Sequence, residues 1–401
     1  MPETTPSTPV TLVNSPEGNP NLLNFSVGVD GIYDNNTEGG YEGGDVNWGA
    51  IANHHFEGGS LSLSYRGDYR DFAGPQAYRG TDQNLSFALS KALSRRWLVT
   101  FSQAGGIFQY GASYFSLQPV ESNIVETNPY DSKTDFLSSG FSATYQKSLR
   151  WSYTLSFNYF LSRYSGLSPY GISAITTSAA ASYRLTPLTT LSGTYAFSDY
   201  RYQNQGGQTQ VHTAYATLSH QFRNRWSVLG SAGATRSQSA GIIDLALSPG
   251  LAQLLGSTYL SGAYNTTTYL PYFQGSLSRS LRHARFSLTG GQSVTPGNGI
   301  YLASKALNVN GFFSYTWHLS SLGFGGAYTH FGSVANAAQS YDATSFSASY
   351  GYPLARHMAL SLRYDFVDYS GTPFSSVATD RDNRVTVGVV FNSKTVPITL
   401  F

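Results

Sequence analysis

The chain has 401 residues and a formal net charge of +2, which gives no electrostatic case for binding nucleic acid. Charged residues make up 11%, against roughly 25% in soluble domains, while aromatics reach 15% and cysteine is absent, excluding disulfides and thiolate metal sites. No run of about 18 apolar residues occurs and mean hydropathy is −0.21, so no transmembrane helix is expected; a membrane β-barrel has the same profile, because only alternate residues meet lipid.

Residues 1–21 lack a basic n-region and an apolar h-region and read as a Pro/Thr/Ser linker. The numbered chain is accordingly expected to be a mature form, a fragment or the product of a mis-started gene. From residue 22 onward the dominant signal is period-two alternation. Residues 22–33 set Phe25, Val27 and Val29 against Asn24, Ser26 and Gly28. Residues 151–163 set Trp151, Tyr153, Leu155, Phe157, Tyr159 and Leu161 against Ser152, Thr154, Ser156 and Asn158. The same division recurs in 344–354 and 358–366.

Short turns fall near 57–59, 94–96, 148–150, 186–188, 223–225, 282–284, 318–320 and 355–357. Longer polar connections lie between them, near 34–43, 73–81, 109–134, 165–173, 203–210, 238–266, 296–304, 332–343 and 370–381. Short and long connections at opposite ends, with an even strand number, describe an all-β, transmembrane antiparallel up-and-down barrel of about 18 strands. Residues 22–391 form the barrel and 392–401 a periplasmic tail. A soluble propeller or sandwich would call for a fixed repeat or charged outer faces, and neither is seen. The interrupted apolar run in 238–266, broken by Asp244 and Pro249, is expected to hold a short helix, either constricting the pore or packed on the outer rim.

Charge sorts by side. The long connections hold Asp34, Glu38, Glu42, Glu121, Glu126, Asp131, Asp244, Asp342 and Asp380. The short turns hold Arg95, Arg96, Arg150, Arg223, Arg225, Arg282, His283, Arg356 and His357, with Glu57 as the exception. Trp97, Trp151, Trp226 and Trp317 all touch short turns, which predicts an aromatic girdle at the periplasmic membrane boundary.

The polar face is the candidate functional surface. In 60–72, with Leu61, Leu63, Tyr65 and Tyr69 toward lipid, Arg66, Asp68 and Arg70 point into the lumen. Arg363 and Asp365 do the same in the next-to-last strand, and Asn158 and Arg384 sit on the polar faces of 151–163 and 384–391. Such charges either orient solutes and set ion selectivity or neutralise one another across strands. Inward tyrosines such as Tyr164 and Tyr200 offer a platform for sugar rings or belong to an ordinary girdle. His330 beside Ser333 is the nearest approach to a hydrolase pair, but a triad also needs an orienting acid whose position the sequence does not fix, and no enzyme activity, cofactor, nucleotide loop or metal site is predicted.

"FSVGVDGIYDNN" (25–36), the Tyr-rich strand ends and the Arg-Trp turns resemble the β-barrel porins encoded in exopolysaccharide gene clusters. That resemblance, over about 22–401, implies an outer-membrane pore involved in polysaccharide export, with a periplasmic export partner and no catalytic residues. The chain end is similar to the assembly signal of outer-membrane barrels. "RVTVGVVF" (384–391) alternates well, whereas Pro397 demotes "VPITLF" (396–401) to an edge or tail. The expected function is passive passage of polar solutes, saccharides above all, with export ahead of uptake. A general diffusion porin and a structural or adhesive barrel are the alternatives, and outer-membrane lipid is the surrounding partner.

Overall fold

The computed structural model describes residues 22–36, 39–73, 78–108, 133–165, 171–203, 207–223, 225–246, 259–295, 304–334, 340–371, 381–393 and 396–397. Among them every regular element is a β-strand. In chain order these are β1 (Leu22–Asn36), β2 (Gly39–Phe56), β3 (Gly59–Ala73), β4 (Tyr78–Ala92), β5 (Trp97–Phe108) and β6 (Lys133–Gln146). Then come β7 (Trp151–Ser165), β8 (Ile172–Thr186), β9 (Thr189–Tyr202), β10 (Gln208–Gln221), β11 (Trp226–Ala246) and β12 (Tyr259–Ser280). The last are β13 (Ala284–Thr295), β14 (Ser304–Trp317), β15 (Ser320–Ser333), β16 (Ser340–Ala355), β17 (Met358–Gly371), β18 (Arg381–Asn392) and the two-residue β19 (Val396–Pro397).

Each strand pairs antiparallel with its sequence neighbours, and β1 pairs with β18 from Ser26↔Asn392 to Asn35↔Asn383. The sheet is therefore a closed barrel of 18 long strands, and closure removes the unpaired edge that a bilayer cannot solvate. β19 extends the β18 side along β1, with Leu22↔Pro397 and Leu23↔Val396. Ser393 bridges the junction: its N–H donates to Phe25 O (2.8 Å) and its Oγ accepts from Phe25 N (2.9 Å).

Alternation produces two unlike walls. Phe25, Val27, Val29, Leu63, Leu85, Phe101, Phe141, Leu155, Phe157, Leu191 and Phe346 are exposed on the outside, where only lipid can cover them. Asp30, Asn47, Asp68, Ser198, Thr235 and Asn310 face the lumen and are buried. All eight short connections expected from sequence are the tight turns of the barrel, at one end.

At the other end the strands run further than the sequence suggests. Asp34, Glu42, Asp244 and Asp342, expected in long connections, belong to β1, β2, β11 and β16. The helix expected within 238–266 is not found in the described part: 238–246 and 259–266 are strand, paired from Gln238↔Thr267 to Ala246↔Tyr259. Backbone pairing along the longest hairpin overrides the break that Asp244 suggests. Residues 247–258 lie outside the described residues, as do 1–21, 109–132 with Glu121, Glu126 and Asp131, and 398–401.

One seam departs from regular closure. β12 pairs with β13 only from Ser280↔Arg285 to Phe273↔Gln292, although it continues beside β11 to Tyr259. Pro271 explains the end of the ladder, since it has no N–H to donate and confines its strand to an edge. Past that point Gln292 is buried and donates to Pro271 O at 2.8 Å. Val294 packs on Ile172, Ala174, Tyr200, Tyr202 and Val211, a buried apolar cluster on the lumen face of β8–β10. The end of β13 thus parts from β12 and leans toward that face while it stays paired with β14 through Thr295↔Ser304.

Candidate functional site: a two-sided lumen

The charged wall spans β17, β18 and β1–β4. Its centre is Arg70, 3% exposed. Arg70 Nε lies 3.4 Å from Asp45 Oδ2, its Nη2 bonds Asp68, and its Nη1 lies 3.6 Å from Asp82 Oδ2. Asp68 also accepts from the Asp82 backbone N–H at 3.0 Å, fixing the row across β3 and β4. One strand earlier, Asn47 Nδ2 donates to Asp30 Oδ2 at 2.6 Å. Glycines make room for this pair. A Cβ on Gly388 would fall on the Asp30 carboxylate, and one on Gly28 would lie 2.5 Å from Asn47 Oδ1.

A second group closes the barrel. Arg384 of β18 reaches Asp34 of β1 through Nε at 2.9 Å and through Nη2. Arg363 holds Asp365 with two hydrogen bonds, 2.7 and 2.8 Å long. Arg363 thus engages both oxygens of Asp365, whereas the two Arg384 nitrogens converge on the single oxygen Asp34 Oδ2; either fork needs a planar guanidinium, where a lysine could make only a point contact.

The opposite wall, β5–β11, has no such charges at its middle. Hydroxyls pair across strands: Thr144–Thr154 (3.0 Å), Thr176–Ser198 (2.9 Å), Thr213–Thr235 (3.1 Å) and Thr217–Ser231 (2.8 Å). Tyr215 and Tyr272 add one aromatic pair, with centroids 4.6 Å apart.

Arg66, Asp68, Arg70, Arg363, Asp365 and Arg384 share the charged wall, and Asn158 stands apart on β7 beside Gly140. Sequence reasoning missed Asp30, Asp34, Asp45, Asn47 and Asp82. The signal is present: the alternation of Asn24, Ser26 and Gly28 continues through Asp30 to Asp34, but the polar composition from residue 34 reads as a loop. Tyr200 is inward but buried in the apolar cluster, so it presents no open ring face; the Tyr164 side chain lies outside the described residues. His330 Nδ1 is 2.7 Å from Asp342 Oδ1 on the outer wall, whereas Ser333 falls on the opposite face of β15, so the two do not form a nucleophile–base pair.

Trp97, Trp151 and Trp226 open β5, β7 and β11, and Trp317 closes β14, all at the short-turn end. Their aromatic and cationic partners lie at the same end. Trp97 meets Tyr145 at 4.9 Å, Trp151 meets Tyr183 at 4.8 Å, and the Arg279 guanidinium lies 4.9 Å over Trp226. The fifth tryptophan, Trp48, covers Gly67 on the outer wall, its Nε1 3.4 Å from Tyr65 Oη.

No protein-family model matches the sequence, and no curated protein matches it. Solved barrels are similar in outline. OpdK of Pseudomonas aeruginosa, crystallised with vanillate, is 13% identical over 92% of this chain and 99% of its own, with a TM-score of 0.44. OccAB2 of Acinetobacter baumannii is 10% identical, over 94% of this chain and 100% of its own, with a TM-score of 0.46. A loop-deletion mutant of Vibrio cholerae OmpT is 12% identical, over 93% and 100%, with a TM-score of 0.39. None of these passes a ligand or a residue role to this chain. The closed wall, its apolar outer face and the ring of tryptophans at one end carry the conclusion: the chain is an 18-strand antiparallel β-barrel of the bacterial outer membrane.

Proposed function

We propose that the barrel is a passive channel for small polar solutes, with a preference for cations over anions. The observation that carries this reading is the charged wall. Across β17, β18 and β1–β4 seven inward carboxyl groups (Asp30, Asp34, Asp45, Asp68, Asp82, Asp365, Asp382) face four guanidiniums (Arg66, Arg70, Arg363, Arg384), a formal excess of three acids over bases. Fixed charge in a narrow aqueous path raises the local concentration of counter-ions and sets selectivity. Barrels of this strand number leave an aqueous channel unless a loop fills it.

The hydroxyl wall opposite the charges suits neutral polyhydroxylated solutes, because Ser and Thr side chains exchange hydrogen bonds with sugar hydroxyls at little cost. Saccharides are therefore the narrower reading, and the resemblance of the first strand to porins of exopolysaccharide clusters makes export with a periplasmic partner its most specific form. The test is conductance in planar bilayers under a salt gradient. Discrete steps with a reversal potential of cation-selective sign are expected, and Asp30→Asn with Asp45→Asn should move that potential toward zero. A silent bilayer, or anion selectivity, would overturn the channel or its polarity. Swelling of protein-loaded liposomes in mono- and oligosaccharides separates saccharide passage from general diffusion.

A further inference from the structure

The outer end of the outer wall carries several exposed guanidiniums, and most have an acid at hand. Arg79 lies 2.8 Å from Asp71, Arg201 lies 3.0 Å from Asp199, and Arg381 lies 2.9 Å from Asp368. Arg236 differs. Its cross-strand neighbours are His212 on β10 and Tyr269 on β12, and the bond shown for it is a long one, 3.4 Å, to Gln238 Oε1. Asp199, one strand further, is engaged by Arg201 and by Gln208 Nε2.

Arg236 is exposed and lies ten residues above Trp226 on the same face of β11. At about 3.3 Å per residue and a tilt near 40°, that is roughly 25 Å along the barrel axis, about the height of an apolar band. Trp226 marks the lower boundary, so Arg236 stands at the upper one, level with lipid headgroups. A guanidinium there needs an anion, and the lipid itself supplies it.

His212 completes the pair. Its Nδ1 is 2.7 Å from Tyr195 Oη. With the phenol as donor, the ring proton sits on Nε2, giving a second N–H donor on the strand paired with Arg236. Phe197 packs on the ring at 4.9 Å and fixes its plane. Two donors on adjacent strands, flanked by Tyr195, Phe197 and Tyr269, match a phosphate attached to an acyl-bearing sugar.

We infer that His212 and Arg236 form a binding site on the outer wall for a phosphate of lipid A, the anionic lipid of the outer leaflet. The site is independent of any solute in the lumen. The test uses the purified full chain in lipid-free detergent micelles, titrated with bisphosphorylated lipid A, its dephosphorylated form and inorganic phosphate. Tighter binding of the bisphosphorylated form is expected, lowered about tenfold or more in Arg236→Gln and further in His212→Ala/Arg236→Gln, with Arg236→Lys intermediate. The heat-induced gel shift of the folded barrel confirms that each variant is assembled, and the single variant replaces only an exposed side chain, so the comparison survives failure of the double. Equal binding of dephosphorylated lipid A, undiminished binding by Arg236→Gln, or full displacement by equimolar inorganic phosphate would overturn the site.

Discussion

Arg70 balances three carboxylates from three strands, and no other residue type could do so in that space. Replacing it with alanine removes the guanidinium that three buried carboxylates share, a loss of about 3–5 kcal/mol in comparable buried networks. The Arg70→Ala barrel should therefore lose its compact gel form at a lower temperature than wild type, and Arg70→Lys should recover only part of the difference. An unchanged transition would mean that water already screens the group. Gly388→Ala tests the same wall from the other side. The added methyl displaces the Asp30 carboxylate, so closure between β1 and β18 should weaken, read as faster amide exchange across 26–35 and 383–392. Residue parity made the lumen side of Arg66, Asp68 and Arg70 legible in sequence. Their partners were not, because Asp45 and Asp82 come from strands whose register only the sheet sets.

The Arg-Trp turns show how an element reads its sequence. In 94–97 Ser94 Oγ accepts from the N–H groups of Arg96 and Trp97, both at 3.2 Å. In 148–151 Ser148 Oγ repeats this toward Arg150 (3.2 Å) and Trp151 (3.1 Å). The third turn has Arg223 in place of the serine, and there Arg225 takes φ 63°, left-handed. The carbonyl of the residue before each tryptophan then accepts from the next hairpin: Gln146 N to Arg96 O, Arg184 N to Arg150 O and Ser280 N to Arg225 O. Ser94→Ala or Ser148→Ala should each cost roughly 0.5–1.5 kcal/mol in urea-driven unfolding from micelles. Arg225→Gly should instead stabilise the barrel by about 1 kcal/mol, since glycine enters the left-handed region without penalty. A destabilised Arg225→Gly would show that the side chain contributes more than its backbone costs.

At the scale of the whole barrel, the distinctive feature is the seam at Pro271, where β12 and β13 part and Val294 packs across onto Val211 and its neighbours. A carboxylate at that position has no partner in an apolar cluster, so Val294→Asp should loosen the outer end, seen as increased exchange in 208–212 and 292–295 with the turns at the opposite end unaffected. What the sequence determined alone was the alternation, and with it the two unlike walls, the eight tight turns, the side on which tryptophan and arginine collect, and a strand count near 18. These are local properties, set by a two-residue period and by turn chemistry. Only the tertiary structure decided where strands end, because pairing with a neighbour carries Asp34, Glu42 and Asp244 into the sheet against their loop-like composition. It likewise decided that the inward charges gather on one wall, since β17, β18 and β1–β4 become adjacent only when residues some 350 apart, such as Asp34 and Arg384, meet at closure. And it decided that the wall parts beside Pro271, because a proline shows in sequence that a donor is missing but not which neighbouring strand will go without it.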